Sequence, residues 1–245
     1  MIKHNFYNFL RKVIPRKIIT LIKFYKIFNN IYGHSNIKDN FIYNGYGHIF
    51  PWITYPCIEF LNRLKLDDCT VFEFGAGSST MYWSKKAKKV RSIEKDKNWF
   101  DAIKNKIPKN CEVTLAQSDE QYIGHIQKFD ENFDIIVIDG AVRYPCAQAA
   151  LKKISERGLI ILDNTEWYPE TARMLNNNGF TQIDFSGFPP INAFPSCTSI
   201  FYKKTDLLDK RLNKAGWAPL GGRFIKAYDD KSFDLIDPQY ILKER

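Results

Sequence analysis

The sequence lacks several patterns that would each indicate a class of protein. Its five cysteines, Cys57, Cys69, Cys111, Cys146 and Cys197, form no C-x-x-C pair and have no histidines at the spacing of a zinc site. No apolar run reaches the roughly 18 residues of a membrane-spanning helix, and the apolar core of a secretory signal peptide is missing. No internal repeat is present. We therefore expect a cytoplasmic protein with reduced cysteines.

Acidic residues are absent from one part of the chain. Residues 1–33 contain seven lysines and arginines and no acid, whereas the remaining 29 basic residues nearly balance 27 acidic ones. The net charge of +9 therefore belongs largely to the N-terminal segment. An enzyme acting on nucleic acid would more often spread basic residues over its active-site face, because phosphate contacts dominate affinity. The charge distribution argues against a nucleic-acid partner.

The stretch from Val71 to Thr80, VFEFGAGSST, predicts a strand, a tight turn and the start of a helix. Two glycines break the apolar run, and the serines and threonine that follow can cap a helix. Because Gly75 and Gly77 carry no Cβ, the backbone can approach a ligand closely, and the free N–H groups of the helix start favour negative charge. The stretch predicts a site for a nucleotide-like cofactor with a carboxylate or phosphate.

Two cofactor classes compete for this turn. A dinucleotide fingerprint requires a third glycine, but Thr80 stands at that position. Glu73 would repel a pyrophosphate, whereas it could accept hydrogen bonds from a cationic amino group such as that of S-adenosylmethionine. The pattern Glu73, Gly75, Gly77 resembles the E-x-G-x-G motif of class I S-adenosylmethionine-dependent methyltransferases. A nicotinamide-dependent oxidoreductase is accordingly disfavoured.

Further polar residues extend the predicted cofactor site. Glu94 ends the strand predicted over 90–96, seventeen residues beyond Gly77, where a carboxylate can accept hydrogen bonds from both ribose hydroxyls. Ser118 and Asp119 follow the next strand and could meet the adenine amino group, although Ser-Asp is also an ordinary helix start. The predicted cofactor contacts are Glu73, Gly75, Gly77, Ser78, Ser79, Thr80, Glu94, Ser118, Asp119, Asp139 and Gly140. Trp52, Thr54 and Tyr55 precede the first strand and could fold over the cofactor or simply pack against the sheet.

Strands and helices alternate along the middle of the chain. The pattern predicts strands over 71–74, 90–96, 112–116, 133–140, 158–163, 181–185 and 198–203, and helices over 51–64, 79–88, 97–106, 144–154 and 168–177. The last two strands are expected to form an antiparallel pair. The predicted fold class is α/β, a doubly wound, Rossmann-like, mostly parallel sheet with a final antiparallel strand.

Oxygen-bearing side chains follow two of the buried strands. Asp139 closes the run FDIIVIDG, and Asp163 and Asn164 close GLIILD, so the three would emerge together if these strands are neighbours. Oxygen ligands on adjacent strand ends would make a site for Mg²⁺ or another divalent cation. The arrangement is similar to metal-dependent O-methyltransferases of the catechol and caffeoyl-CoA type, which hold a cation with an Asp and an Asp-Asn pair.

That resemblance implies a chemistry and includes one departure. In those enzymes the cation binds two substrate oxygens and lowers the pKa of the acceptor hydroxyl. They usually place a lysine base three residues beyond the first Asp, whereas Val142 stands there in this chain and Arg143 follows. Arginine is no proton acceptor at neutral pH. Without a metal, Asp139 is the candidate catalytic base, and His48 and His125 remain alternatives that the sequence does not rank.

The ends of the chain are predicted as separate segments. Residues 1–33 predict two basic amphipathic helices broken at Pro15, residues 34–50 a linker, 51–204 the methyltransferase domain and 205–245 a cap or dimer-interface extension. Apolar residues opposite basic ones suit an anionic membrane surface, which would place the protein at the inner face of a membrane. Packing against the domain or a second subunit would account for the same pattern.

The sequence thus predicts a methyltransferase that uses S-adenosylmethionine and O-methylates a hydroxyl of a small molecule or glycan precursor. Methyl transfer is an in-line displacement, so the protein chiefly aligns the reactants and removes a proton. Two alternatives remain open: a non-catalytic protein of the same fold that binds or scaffolds at a membrane, and an RNA methyltransferase. No residue pattern names the acceptor.

Overall fold

A computed structural model describes residues 15–204, 206–212 and 219–222 of the chain. The helices in this part are α1 (Arg16–Ile27), α2 (Tyr55–Asn62), α3 (Ser78–Ser84), α4 (Lys97–Ile103), α5 (Asp119–Gly124), α6 (Arg143–Ala150), α7 (Pro169–Asn177) and α8 (Asp206–Arg211). The strands are β1 (Ile37–Lys38), β2 (Phe41–Ile42), β3 (Thr70–Phe74), β4 (Lys89–Glu94), β5 (Cys111–Leu115), β6 (Phe133–Ile138), β7 (Ile154–Leu162), β8 (Thr181–Gly187) and β9 (Ser196–Tyr202).

Seven of these strands form one sheet in the order β5-β4-β3-β6-β7-β9-β8. The five strands from β5 to β7 run parallel, and β9 is antiparallel to both of its neighbours. The predicted fold class, a mostly parallel doubly wound sheet with a final antiparallel pair, is confirmed. The first strand of this sheet along the chain, β3, lies near its centre. The next strands, β4 and β5, add to one side of β3, and the later strands, from β6 onward, add to the other. The order reverses between β3 and β6, which is where such sheets bind ligands.

Helices cover both faces of the sheet, and alternate residues of each central strand enter opposite layers. Val71 packs in the layer that contains α2 and α3, whereas Phe72 packs in the layer that contains α5, α6 and α7. The β6 sequence FDIIVI is buried on both faces apart from its Asp134, as expected for a central parallel strand. The near-continuous apolar runs that predicted buried strands are thus explained by burial on two sides.

The structure moves several predicted boundaries by four residues. Helix α2 begins at Tyr55 rather than at residue 51, α3 ends at Ser84 rather than at residue 88, and α6 ends at Ala150 rather than at residue 154.

The start of β7 moves as well. Strand β7 begins at Ile154 rather than at Gly158, within the stretch that was predicted as the end of a helix. The added residues are partly exposed, and the pairing of β7 with β6 is irregular between Phe133 and Ile135. A Cβ at Gly158 would lie 2.9 Å from the carbonyl oxygen of Asp134, so the close backbone approach there requires glycine. Residues 155–157 are polar, so the sequence pattern did not predict that they belong to β7.

The segment before the sheet is more structured than a linker. Of the two predicted N-terminal helices, the first lies outside the described residues, and the second is α1, followed by a π-helical turn over Phe28–Tyr32. Residues 34–50 contain the small β1–β2 sheet, and the Ile42 side chain is buried against the main domain. Within the described residues, no helix is long and apolar enough to cross a membrane.

Candidate functional site

A cavity of about 750 Å³ opens at the carboxyl ends of the central parallel strands. This volume lies within the range of small-molecule and cofactor sites. Many residues that the sequence analysis singled out line it together: Glu73, Gly75, Gly77, Ser78, Ser79, Glu94, Asp139, Gly140, Asp163, Asn164 and Trp52. Distant parts of the sequence therefore converge on one site. Their roles toward a ligand remain predictions.

Two glycines bring the backbones of β3 and β6 together at the floor of this cavity. Gly75 has a φ of 108°, which side-chain-bearing residues rarely adopt, and a Cβ there would lie 3.2 Å from the carbonyl oxygen of Asp139. A Cβ at Gly140 would overlap the Tyr122 hydroxyl and lie 2.9 Å from the carbonyl oxygen of Phe74. The cavity floor consequently has room for a ligand but none for side chains at these two positions.

Replacing Gly140 by alanine is expected to destabilise the protein by roughly 1–3 kcal/mol, because the new methyl group overpacks the junction of β3, β6 and α5. Thermal unfolding of the purified variant measures this. Gly124→Ala is the matched control, since a Cβ at Gly124 meets no heavy atom within 4 Å. Gly140→Ala combined with Tyr122→Phe should recover part of the loss. Equal stability of the Gly140 and Gly124 variants would contradict the close approach.

Hydroxyl groups hold the glycine turn in shape. The Gly77 N–H donates to Thr80 Oγ1 at 3.0 Å, and the Ile42 N–H donates to Ser78 Oγ at 3.0 Å. The Thr80 side chain is fully buried and does not line the cavity, so its observed contacts are with the turn itself. Ser78 ties the β1–β2 sheet to the start of α3. From residues 34–50, Ile37, Asn40 and Ile42 line the cavity.

Glu73 is a buried acidic residue that lines the cavity. The side chain is only 1% exposed, and Ser92 Oγ donates to its Oε2 at 2.7 Å. Its Oε1 is buried and has no hydrogen-bond partner among the described residues. Burial raises the pKa of Glu73 to about 7, although the hydroxyls of Thr80, Ser92 and Ser79 act in the opposite direction. A buried acceptor without a partner at a cavity wall is an expected position for a cationic ligand group.

Glu94 lies at the end of β4, next to the glycine turn. Its carboxylate accepts hydrogen bonds from three backbone N–H groups, those of Ala76 at 3.0 Å, Lys95 at 2.7 Å and Asp96 at 2.8 Å. These bonds fix the side chain beside the cavity. Oε1 accepts two of these bonds and Oε2 accepts one, so Oε2 retains a lone pair that can accept from a ligand hydroxyl.

Ser118 and Asp119 do not line the cavity in the structure. Ser118 precedes α5, where its Oγ accepts from the Gln121 N–H at 3.2 Å, and Asp119 pairs with Lys95. This is the helix start that the sequence analysis left open as the alternative. The structure thus shows a local role for both residues, and the adenine contact stays an untested prediction.

Arg143 lies among the three residues predicted to bind a metal ion. Its guanidinium donates to Asp139 Oδ1 at 3.1 Å, to Asn164 Oδ1 at 3.2 Å and to the backbone oxygen of Asp163. Its Nε donates to the Gly140 carbonyl oxygen at 3.0 Å. The guanidinium also lies 4.9 Å from the centre of the Tyr168 ring. Four of its five N–H donors therefore have partners, and the side chain is fixed and nearly buried.

The divalent-cation site is not supported by this geometry. Asp139, Asp163 and Asn164 do come together, but they surround a positively charged side chain, and Thr198 Oγ1 donates to Asp163 Oδ1 at 2.5 Å. Within residues 15–204 and the two short described stretches that follow, no group of His, Cys, Asp and Glu suits a metal. The residues do not fit a divalent cation, because the guanidinium already provides the charge that would hold them.

The same cluster perturbs the acidity of its carboxyl groups. Burial, and after it the neighbouring Asp163, raises the pKa of Asp139 well above its ordinary value, although Arg143 acts in the opposite direction. Burial raises the pKa of Asp163 to about 6. The backbone beside the cluster is unusual, since Val142 and Asn164 have φ values of 43° and 49°. Left-handed conformations at residues with side chains are found where the surrounding structure requires them.

The two histidines that were alternatives for the base lie elsewhere. His125 is buried beside Phe72 and Phe129, in the layer behind the sheet. His48 lines a separate cavity of about 330 Å³. Neither lines the main cavity, which leaves Asp139 as the candidate base that the structure places there.

Trp99 and Ile37 line the cavity but were not identified from the sequence. Trp99 of α4 donates from Nε1 to the Ala76 carbonyl oxygen at 2.6 Å and thereby closes the glycine turn. Ile37 reaches the cavity from β1. On the other side, Trp167 and Phe194 line the cavity, and Trp52 Nε1 donates to Asn192 Oδ1 at 3.1 Å. Thr54 and Tyr55, the other suggested contacts, do not line the cavity but join the layer beneath it.

Comparison with known proteins identifies the fold. No protein-family model and no curated protein matches the chain. Spermidine synthase from Thermotoga maritima has a similar structure, with 12% sequence identity and a TM-score of 0.50 over 77% of this chain and 67% of that chain. Precorrin-6y C5,15-methyltransferase from Geobacter metallireducens GS-15 is 14% identical, with a TM-score of 0.49 over 61% of this chain and 87% of its own. An rRNA methylase from Streptococcus thermophilus is 16% identical, with a TM-score of 0.46 over 59% and 93%.

At sequence identities this low, the comparisons show a shared fold and nothing more specific. Together with the strand order, the likeness to spermidine synthase shows that the chain has a Rossmann-like α/β fold. What each of these proteins binds or modifies is not transferred by the fold.

Proposed function

We propose that this protein binds S-adenosylmethionine in the main cavity and is a methyltransferase. The observation that carries the proposal is the buried carboxyl group of Glu73, a residue that lies beside the glycine turn and lines the cavity. An anionic acceptor in that position suits an amino group and repels a phosphate. The residues therefore fit S-adenosylmethionine better than a dinucleotide.

The chain's own residues divide the binding among them. Glu73 would hold the cationic amino group, and Glu94 would accept hydrogen bonds from the ribose hydroxyls. Gly75 and Gly140 leave the backbone bare, so a ligand can approach the floor of the cavity. When bound, S-adenosylmethionine supplies a methyl group on a positively charged sulfur, which is open to attack by a nucleophile.

Asp139 is the residue proposed to remove the proton of the acceptor. It lies at the carboxyl end of β6 and lines the same cavity as Glu73. The Arg143 guanidinium donates to Asp139 Oδ1 at 3.1 Å and thereby orients the carboxylate. Asp139 Oδ2 has no hydrogen bond within the described chain. The raised pKa makes this carboxylate a stronger base than an exposed aspartate, as O-methylation of a hydroxyl requires.

The wall opposite the glycine turn is the proposed acceptor side. Trp52, Trp167, Phe194 and the ring of Pro189 provide apolar surface there, and Asn192 is the polar group among them. Such a wall suits a small molecule or glycan precursor that has a flat or apolar face and a hydroxyl group. The specific acceptor is found by turnover assays with hydroxyl-bearing candidates, and an RNA complex that weakens as salt rises would instead favour RNA methylation.

Calorimetric titration with S-adenosylmethionine and with NAD tests the cofactor. We expect binding of the former alone, and a roughly 10- to 100-fold loss of affinity in Glu94→Gln, because a hydrogen bond to a charged group contributes about 1.5–3 kcal/mol. Glu170→Gln is the matched control, because Glu170 pairs with Arg173 at the surface and does not line the cavity. Asp119→Asn tests the predicted adenine contact. Weaker binding in that variant would support the adenine contact. Binding of neither ligand would contradict the proposal.

A further inference from the structure

Helix α1 exposes an apolar face that nothing in the described part of the chain covers. None of its residues is buried. Ile18, Leu21, Ile22 and Tyr25 follow the i, i+3, i+4, i+7 spacing that places them on one side of a helix, and they are between 47% and 66% exposed. Such a continuous exposed stripe is uncommon on a protein surface without a binding role.

Positive charge accompanies this apolar face. Arg16, Lys17, Lys23 and Lys26 are all exposed on the same twelve-residue helix, and α1 contains no acidic residue. A surface that combines apolar residues with uncompensated positive charge is complementary to an anionic lipid bilayer, whose headgroups attract the lysines while the apolar face enters the acyl boundary. A protein partner with a plain apolar groove would not require this charge.

A second exposed apolar surface surrounds the mouth of the main cavity. We call it the apolar rim; its members are Ile37, Trp52, Trp167 and Phe194, which line the cavity and are between 48% and 59% exposed. Tryptophan is enriched at membrane–water interfaces, because its ring is apolar and its N–H remains polar. The rim is therefore chemically matched to the same partner as α1.

The structure links α1 to the wall of the cavity. Just after the helix, the Phe28 ring packs edge-on against Phe188 at 6.0 Å and against Tyr55 at 5.7 Å. The Ser35 N–H donates to the Pro190 carbonyl oxygen at 2.8 Å. Residues 188–190 lead directly into the part of the wall that contains Ile191, Asn192 and Phe194. These contacts connect the segment that follows α1 to the loop on the acceptor side of the cavity.

We propose that α1 and the apolar rim dock the protein on an anionic membrane, so that the cavity receives an acceptor presented at the lipid surface. The docking itself rests on the exposed surfaces. The statement about the acceptor rests on the proposed methyltransferase function.

Co-sedimentation of the full-length chain with vesicles tests the docking. Vesicles made of equal parts phosphatidylglycerol and phosphatidylcholine are expected to pellet the protein, whereas vesicles of phosphatidylcholine alone are not. Lys23→Glu combined with Lys26→Glu should weaken binding at least 10-fold, since each basic residue near an anionic surface contributes about fivefold. Lys109→Glu combined with Lys128→Glu makes the same change of charge at two exposed lysines elsewhere and should leave binding intact.

A second pair of variants tests the apolar contribution. Leu21→Glu and Tyr25→Glu change side chains that are 65% and 66% exposed, so the fold is preserved, and each should reduce vesicle binding. Tyr144→Glu, at an exposed aromatic residue outside both surfaces, is the control. If the wild type does not pellet with the anionic vesicles, or if Lys109→Glu/Lys128→Glu loses as much binding as Lys23→Glu/Lys26→Glu, the proposal is wrong. A dimer that Leu21→Glu converts to a monomer, without vesicle binding, would show that a second copy covers α1 instead.

The outcomes separate docking from catalysis. The α1 variants are expected to bind S-adenosylmethionine as the wild type does, because none of the changed residues lines the cavity. Vesicle binding without cofactor binding would support the docking and contradict the proposed function. Cofactor binding without vesicle binding would support the proposed function and contradict the docking.

Discussion

Replacing Glu73 by glutamine is expected to make the protein without cofactor more stable at pH 8 while weakening its binding of S-adenosylmethionine. The folded-state pKa of Glu73 is about 7, against an ordinary value of 4.5, and burial is the main cause. The folded protein therefore favours the protonated form. Its stability is fully present below about pH 4.5 and falls as the pH rises through 7, because the buried carboxyl group must ionise.

The size of this effect follows from the shift. A shift of about 2.5 units corresponds to on the order of 3 kcal/mol at pH 8, and glutamine removes that penalty because it does not ionise. For a protein of this size, thermal unfolding should move upward by several degrees at pH 8 and little at pH 5. The same substitution removes the negative partner that we propose for the ligand's amino group, so affinity should fall roughly 10- to 100-fold.

Thermal unfolding between pH 5 and pH 8, with and without S-adenosylmethionine, measures both effects. Glu120→Gln is the control, since Glu120 is an exposed acid on α5 and its replacement should change stability by no more than about 0.5 kcal/mol. A Glu73→Gln variant that is no more stable than the wild type at pH 8 would contradict the raised pKa of the buried Glu73. Undiminished ligand binding by Glu73→Gln would contradict its proposed role.

Replacing Arg143 by methionine is expected to destabilise the protein by about 3–5 kcal/mol and to abolish the proposed methyl transfer. Methionine retains much of the side-chain volume but removes the charge between Asp139 and Asp163, and an uncompensated buried charge is strongly destabilising. The contacts of the guanidinium with Asn164 and Gly140 are lost as well. Arg143→Lys keeps the charge without the planar set of donors, so its stability should fall between the two.

Chemical denaturation of the three proteins measures this order. Arg173→Met is the matched control, because Arg173 pairs with Glu170 on the exposed side of α7 and such surface pairs contribute at most about 1 kcal/mol. Mg²⁺ and EDTA should leave the stability and turnover of the wild type unchanged. If EDTA lowers either one and Mg²⁺ restores it, the guanidinium is not the resident cation of this cluster.

Local patterns were sufficient to predict most of the fold. Val71, Phe72 and Phe74 before two glycines predicted β3 and its turn, because a central parallel strand is apolar on both faces and its end is marked by residues that need no Cβ. The strand β7 was predicted too short, since Ser155, Glu156 and Arg157 are partly or fully exposed and have the polarity of a loop.

The contents of the site were harder to predict than its location. Asp139, Asp163 and Asn164 were expected to converge because parallel strands end at one edge. Arg143 reaches these three residues because Val142, which precedes α6, has a left-handed backbone conformation. Valine rarely adopts this conformation, so the sequence did not indicate it. Trp99 and Ile37 enter the cavity through tertiary packing, and their own sequence neighbourhoods carry no signal for it.

The fixed position of Arg143 has a consequence for how such an enzyme would depend on its surroundings. A bound Mg²⁺ exchanges with the medium, and a related metal of higher affinity can displace it. A guanidinium attached to the chain is made with the protein, keeps its charge at every physiological pH and cannot be removed by a chelator or replaced by the wrong metal. The cluster would therefore keep its charge through starvation for magnesium or an excess of zinc.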